Sequence, residues 1–436
     1  MTTENFKIVE RKRNVVSLFF ALLFSISFLI FILFQKALVK KLGFPKPLLY
    51  VDEVFVVIFF YLLSLYFLVI AKIDKLIFPF LKVLVIFAGV GLISGLINGN
   101  SMLVTSLGIF DYLKNFIFIF VGYYFFNSRK LLMTLYNILL FVSLILVGVA
   151  IFQELLFLLG KTATGIIRFG LLRTPSLVGH PNMFGLYIFL FFTLRLFVKR
   201  KIDFINFLLL LGIFLSLSRF VWVSTIIVLI IYSWQNKKIK NFLIILSLLV
   251  VFFIFALPYF FRHSSQELFS ESFYRGYALL KSLEVWKDHK VLGAGPGMWG
   301  GVVSIIFKSP LYERYNFSDH WFKTYLQRIH SLDQFYPQLL AETGVIGFII
   351  FIIFLYLLYK IPKQISFKVK DSFLRNFLKA LSLVSIGLTL YLFGSGLNLS
   401  HFLITYSIFL GMSLGVAKNE NIFNQQISLS KRWRCN

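Results

Sequence analysis

The stretch "SLDQFYPQLLAETGVIGFIIFIIFLYLL", Ser331–Leu358, decides how this chain is to be read. From Val345 to Leu358 it carries no charge and consists almost wholly of Ile, Phe, Leu and Val. Extended back through "QLLAETG", the run is long enough for a membrane-spanning helix, which needs about 20 residues. Yet Asp333 and Glu342 lie at its head, with Pro337 between them. Carboxylates beside a bilayer are costly, so each calls for a reason. Pro337 suits the first turn of a helix. Asp333 therefore reads either as the N-cap of that helix, accepting backbone N–H groups, or as a functional acid at the membrane surface. Glu342, deeper in, reads as a partner for another helix.

The whole chain has the same character. Its 436 residues are 59% hydrophobic and only 14% charged, where a soluble protein carries about 25% charged residues. Mean hydropathy is +0.85. These values define a polytopic membrane protein whose spans pack as a single integral domain, 1–436. The net charge of +26 does not point to nucleic acid. Lys and Arg sit in short loops between apolar runs, as the positive-inside rule requires, and not in one basic patch on a soluble domain. The sole cysteine, Cys435, excludes an intramolecular disulfide and a cysteine metal site. With one residue after it, Cys435 is not a prenylation box and reads as an inert tail thiol. "RKR" at 11–13 precedes an apolar run from Val15 to Phe34. That run is longer than a signal-peptide core and lacks a small-residue cleavage site, so it reads as an uncleaved first helix.

About twelve apolar segments are spans or near-spans: 15–34, 54–71, 76–97, 108–126, 131–152, 181–198, 203–218, 220–234, 242–261, 342–359, 377–396 and 398–417. The third contains Pro79 and Lys82, and the seventh and eighth are short and meet at Ser218-Arg219. With the N-terminus inside, the cytoplasmic loops hold Lys72 and Lys75, Arg129 and Lys130, "KRK" at 199–201, "KKIK" at 237–240, and the Lys360–Arg375 group. "KRWR" at 431–434 falls on the same side. Only the first loop, with four lysines between Lys36 and Lys46, breaks the pattern. The expectation is an all-α protein with about twelve transmembrane helices, both termini cytoplasmic and one large external loop, 262–335. A structureless loop of that length is uncommon. "ESFYRGYALLKSLEVWKDH" at 271–289 has helical periodicity, with Phe273, Tyr277, Leu280 and Leu283 on one stripe. "GAGPG" at 293–297 resembles a phosphate loop, but no Gly-Lys-Ser/Thr follows, so it reads as a tight turn. Trp286, Trp299 and Trp321 read either as platforms for sugar rings or as interface anchors.

The outer face gathers an unusual set of residues. Arg168 and Arg173 precede "GHPN" at 179–182, Arg219 sits between two spans, and Arg275 lies in the helical part of the large loop. Arginine binds phosphate oxygens through two donors and keeps its charge when desolvated. Several on one membrane face suit a lipid-linked phosphate or pyrophosphate. Taken singly, Arg219 reads equally well as a side chain snorkelling to the headgroups, and Arg168 and Arg173 as solvated loop charges. Pro181 fits the first position of a helix, where its missing N–H costs nothing, and His180 then reads as part of the helix start. No zincin, G-x-S-x-G or carboxylate metal motif occurs, and no cofactor is expected. Few charges lie inside the spans, which argues against an ion-coupled pump.

Four motifs in order, "LLRTPSLVGHPNMFGLYIFL" (171–190), "LSLSRFVWVS" (215–224), "RGYALLKSLEVWKDHKVLGAGPGMW" (275–299) and "DQFYPQLLAETGVIGF" (333–348), resemble the O-antigen ligase/polymerase family of bacterial surface-polysaccharide enzymes. The resemblance covers about residues 165–360. It implies a metal-independent glycosyltransferase in the cell inner membrane, active on its extracytoplasmic face. The donor would be an undecaprenyl-pyrophosphate-linked glycan and the acceptor a glycan or a lipid, within membrane lipids. A chain-length regulator and a flippase are candidate partner proteins. Arg219 matches the family's Ser-Arg arginine, Arg168 or Arg173 the arginine upstream of Pro-Asn, and Arg275 the arginine heading the loop helix. His180 and Asn182 belong to the same site. Ligases of the family commonly show His-Asn ahead of "LLAETG". Here those positions hold Asp333 and Gln334, with His330 three residues earlier. This leans towards a polymerase and leaves the base open between Asp333 and His330. A ligase acting on lipid A-core or protein is the alternative within the family. A lipid-linked glycan flippase or exporter is the alternative outside it, and would line a central cavity with charge.

Overall fold

A computed structural model describes residues 27–35, 38–39, 43–45, 48, 50–70, 73–161, 166–168, 170–236, 274–317, 332, 334–397 and 399–432. The expected ninth span (242–261), most of the first, Trp321, Phe273, His330 and Asp333 lie outside the described residues. The elements in chain order are α1 Val51–Ile70, α2 Phe78–Ile97, α3 Met102–Leu113, a 3-10 turn Lys114–Phe116, α4 Ile117–Phe125 and α5 Arg129–Leu158. A two-stranded ribbon, β1 Ile166–Arg168 and β2 Leu171–Arg173, follows. Then come α6 Pro181–Lys199, α7 Phe204–Leu215, α8 Arg219–Asn236, α9 Tyr274–Asp288, α10 Val302–Ile306, α11 Leu311–Arg314, α12 Phe335–Ser366, α13 Ser372–Tyr391 and α14 Ser400–Arg432.

Among the described residues seven helices are long and apolar enough to cross a membrane. The short segments expected around Ser218-Arg219 form two shorter helices, α7 and α8. Local chemistry sets several helix starts. Pro79 falls in the first turn of α2 and Pro181 opens α6, positions where a missing N–H costs nothing. Asp203 and Asp371 cap α7 and α13, accepting the N–H of Asn206 and Leu374 at 3.1 and 2.7 Å.

The bundle closes around α14, whose apolar stretch is fully buried. Its tightest neighbour is α4. A Cβ on Gly122 would strike the backbone at Ile408 and Met412, and one on Gly411 the backbone of Ile119. Small residues let the two backbones touch, which is how helices associate where lipid removes the hydrophobic drive.

Contacts sort the loops onto two ends. At one end Arg129 pairs with Asp371 at 2.6 Å, Lys418 with Asp74 at 2.5 Å, and Arg200 donates to Asn376 at 2.9 Å. At the other end Ser94 Oγ bonds Gly293 O at 3.1 Å, Thr174 N bonds Leu215 O at 3.2 Å, and Phe335 N bonds Ser395 O at 3.2 Å. Loops assigned to one side in the sequence thus meet only partners from that side in these six contacts. The second end carries residues 274–317 and is called the loop end below.

Three expectations need correction. The periodicity at 271–289 gives α9, but its buried residues are Tyr274, Gly276, Ala278, Ser282 and Val285. Leu280 is exposed. Small residues choose the packed face, because they admit close approach and Ser282 meets Trp299. Trp299 is fully buried. Its Nε1 donates to Ser282 Oγ at 2.9 Å and its ring stacks on Tyr312 at 4.9 Å. It is a core residue of the loop and neither a sugar platform nor an interface anchor. The ribbon β1–β2 was not expected; its register pairs Arg168 with Leu171 and Ile166 with Arg173.

Candidate functional site

The loop end is built on an interrupted helix. Within α12, Gly344 adopts φ 61°, ψ −168°, which is not helical. Such a break frees backbone groups that lipid cannot satisfy. The turn at 290–295 satisfies them. Val345 N bonds Lys290 O at 3.0 Å, Ile346 N bonds Val291 O at 3.2 Å, Ala294 N bonds Ala341 O at 2.9 Å and Gly295 N bonds Glu342 O at 2.9 Å. A Cβ at Gly293 would collide with the backbone of Glu342 and Gly344. "GAGPG" is therefore a tight turn whose job is to plug the helix break. Asn98 and Asn100 hold its far side, donating to Gly293 O and Ala294 O at 3.0 and 2.8 Å.

Glu342 completes the junction. Its Oε2 accepts the Tyr112 hydroxyl at 2.6 Å and its Oε1 accepts the Trp299 N–H at 2.8 Å. One buried carboxylate thus ties α3, α12 and the large loop together. Sequence reading paired Glu342 with another helix but did not foresee the loop. The available signal was two glycine-rich spots, Gly344 and "GAGPG", that each needed close backbone approach.

The sequence-derived site residues fall as follows. Arg173 lies on β2, is buried, and bonds the Asn182 amide oxygen. Arg168 lies on β1. His180 is the N-cap of α6, without a side-chain cap bond, and is exposed. Arg219 opens α8 and Arg275 is the second residue of α9. The N-cap of α12 is Gln334, and Asp333, just ahead of it, lies outside the described residues, as does His330.

Hydrogen bonds bring these segments together. Glu154 and Gln153 on α5 accept from Leu172 N and Ser176 N at 3.2 and 3.1 Å, pinning the ribbon to the bundle. Thr174, next to Arg173, gives both N–H and hydroxyl to Leu215 O, at 3.2 and 3.1 Å. Leu215 ends α7, four residues before Arg219. Phe220 packs its ring on Gly394. The adjacent Ser395 O accepts Phe335 N, and Leu332 N bonds Gly300 O at 2.7 Å. The arginine ribbon, the Arg219 turn and the residues on either side of Asp333 are thereby one connected assembly.

A second charged set at this end was missed by sequence reasoning. Lys114 Nζ lies 2.8 Å from Asp111 Oδ1 and 3.2 Å from Glu53 Oε1. Asp111 also lines a small pocket with Tyr112, Gln338 and Phe335. In the loop itself, burial and then the nearby Arg314 push His289 below its ordinary pKa against the pull of Asp288. Burial raises the Tyr312 hydroxyl well above its ordinary value.

Seven apolar helices of spanning length among the described residues mark a multi-pass membrane protein. Residues 204–352 match the family model described as O-antigen ligase. The match supports a membrane protein of the O-antigen ligase/polymerase family and implies a function of that type. The matched region runs from α7 through the break in α12. No curated protein matches the chain.

Proposed function

We propose that the protein polymerises undecaprenyl-pyrophosphate-linked oligosaccharide repeat units into a surface polysaccharide, such as O-antigen, capsule or exopolysaccharide, at the outer face of the cytoplasmic membrane. In this reading the chain is one integral domain, 1–436, the lysine-rich end is cytoplasmic, and loop 262–335 is outside. The observation that carries it is the bonding of Thr174 to Leu215. It joins the Arg173 ribbon to the turn that presents Arg219, at the end where α12 begins.

The chemistry follows from the residue types. Arg219, Arg275 and Arg173 or Arg168 hold the pyrophosphate of the donor. Their fixed positive charge stabilises the negative charge that grows as the anomeric carbon–oxygen bond breaks. Asn182, by holding Arg173, orients that guanidinium. Asp333 or His330 accepts the proton of the acceptor hydroxyl as its oxygen attacks the anomeric carbon. A glycosidic bond forms and undecaprenyl pyrophosphate leaves. No step requires a metal ion.

Asp333, at the position where ligases of the family commonly carry histidine, supports polymerase over ligase. The description of the matched family, O-antigen ligase, favours the second reading, transfer of the finished glycan to lipid A-core or protein. Deleting the gene separates the two. Loss of a polymerase leaves single repeat units on the acceptor; loss of a ligase strands long chains on the carrier.

A further inference from the structure

A cavity lies at the end opposite the ribbon and the loop. It measures about 680 Å³ and opens between the ends of α6, α8, α12 and α13. Arg200, Lys363 and Lys379 line it, with Ile231, Leu383 and Ile386 supplying apolar wall. No carboxylate is among its described lining residues. The acids nearest in sequence are already engaged: Asp371 with Arg129 and Asp203 with Arg195.

The cations have partners that orient them without neutralising them. Arg200, in the left-handed conformation at φ 53°, donates to Asn376 Oδ1 at 2.9 Å. Lys363 bonds the Tyr359 hydroxyl. Lys379 Nζ sits 5.4 Å from the centre of the Phe367 ring. Three positive charges facing one semi-apolar cavity repel one another unless an anion joins them, and the repulsion is stronger away from bulk water. Bilayers offer such an anion in amphiphilic form, and basic pockets between helices bind lipid headgroups.

We infer that this cavity holds the phosphate-bearing headgroup of an anionic phospholipid, with its acyl chains along Ile231, Leu383 and Ile386. The site stands apart from the transfer chemistry and does not depend on it. Free phosphate shares the recognition chemistry, but it has no use for the apolar wall.

The test is native mass spectrometry of the full-length protein in detergent, titrated with phosphatidylglycerol, with phosphatidylcholine, and with inorganic phosphate. The wild type should retain phosphatidylglycerol over phosphatidylcholine, and millimolar phosphate should not displace it. Lys363→Gln and Lys379→Gln should each weaken phosphatidylglycerol retention roughly fivefold, the effect of one cation near an anionic headgroup. Lys363 is exposed, so its variant keeps the test valid if Lys379→Gln fails to fold. Equal retention of the two lipids, or unchanged phosphatidylglycerol retention in Lys363→Gln, overturns the proposal. Displacement by inorganic phosphate alone overturns the lipid assignment.

Discussion

Glu342 on α12 accepts the backbone N–H of Trp299 at 2.8 Å while its other oxygen accepts the Tyr112 hydroxyl at 2.6 Å. This single carboxylate joins a spanning helix, its neighbour and the large loop. Glu342→Ala leaves both donors buried without an acceptor, at roughly 1–3 kcal/mol each. Glu342→Gln keeps one acceptor and should fall between. Thermal unfolding in detergent should rank wild type above Gln and Gln above Ala. Equal melting temperatures for wild type and Glu342→Ala would remove the junction from the account.

The break at Gly344 requires a residue without a side chain. Its φ of 61° and the backbone at Val291 and Gly293 leave no room for a Cβ. Gly344→Ala should detach the 290–295 turn from α12 and expose residues 274–317 to protease. Limited proteolysis of purified protein reads this directly, with faster cleavage in the variant than in wild type.

Arg173 is held by Asn182. Asn182→Ala removes a bond to a charged group, so transfer activity should fall by about tenfold or more. Arg173→Lys should not restore it, since a lysine lacks the two-donor fork. An assay showing Arg173→Lys at wild-type rate would remove this arginine's two-donor fork from the account.

Acid should loosen the end opposite the loop. Burial pushes the Asp203 carboxyl up, but the Arg195 pairing and the Asn206 N–H outweigh it and hold the group below its usual 3.8. A depressed carboxyl stabilises the fold above its unfolded pKa, and the contribution is lost as pH falls through the folded value. Asp74, paired with Lys418, behaves the same way. The gap in melting temperature between wild type and Asp203→Asn should therefore hold steady from neutral pH to about 4 and shrink below it.

Much of the helical scaffold was legible in the sequence, because an apolar run between lysine-rich loops has few other readings. So was α9, from its periodicity, and the start of α6 at Pro181. The two-sided partition of the loops followed from where Lys and Arg fall. What escaped detection depends on partners distant in the chain. Nothing near Glu342 announces Tyr112 or Trp299, and nothing near Gly344 announces the turn at 290–295. The ribbon strands, three residues each, are too short to show alternation. Trp299 resembled an interface anchor because its burial is created by Ser282 and Tyr312, on separate helices. Arg173 and Arg219 were visible in the sequence as candidates on one face; the link between their segments through Thr174 and Leu215 was not.

The central claim is that the loop end joins carrier-linked repeat units, using Arg219 and a base near the start of α12. The direct measurement is incubation of purified protein with labelled undecaprenyl-pyrophosphate-linked repeat units, followed by separation of products by chain length. The account predicts a ladder of lengthened chains, lost in Arg219→Ala and in Asp333→Asn paired with His330→Ala, while all forms remain folded in the membrane. Products no longer than one repeat from the wild type, or an unchanged ladder from Arg219→Ala, would contradict it.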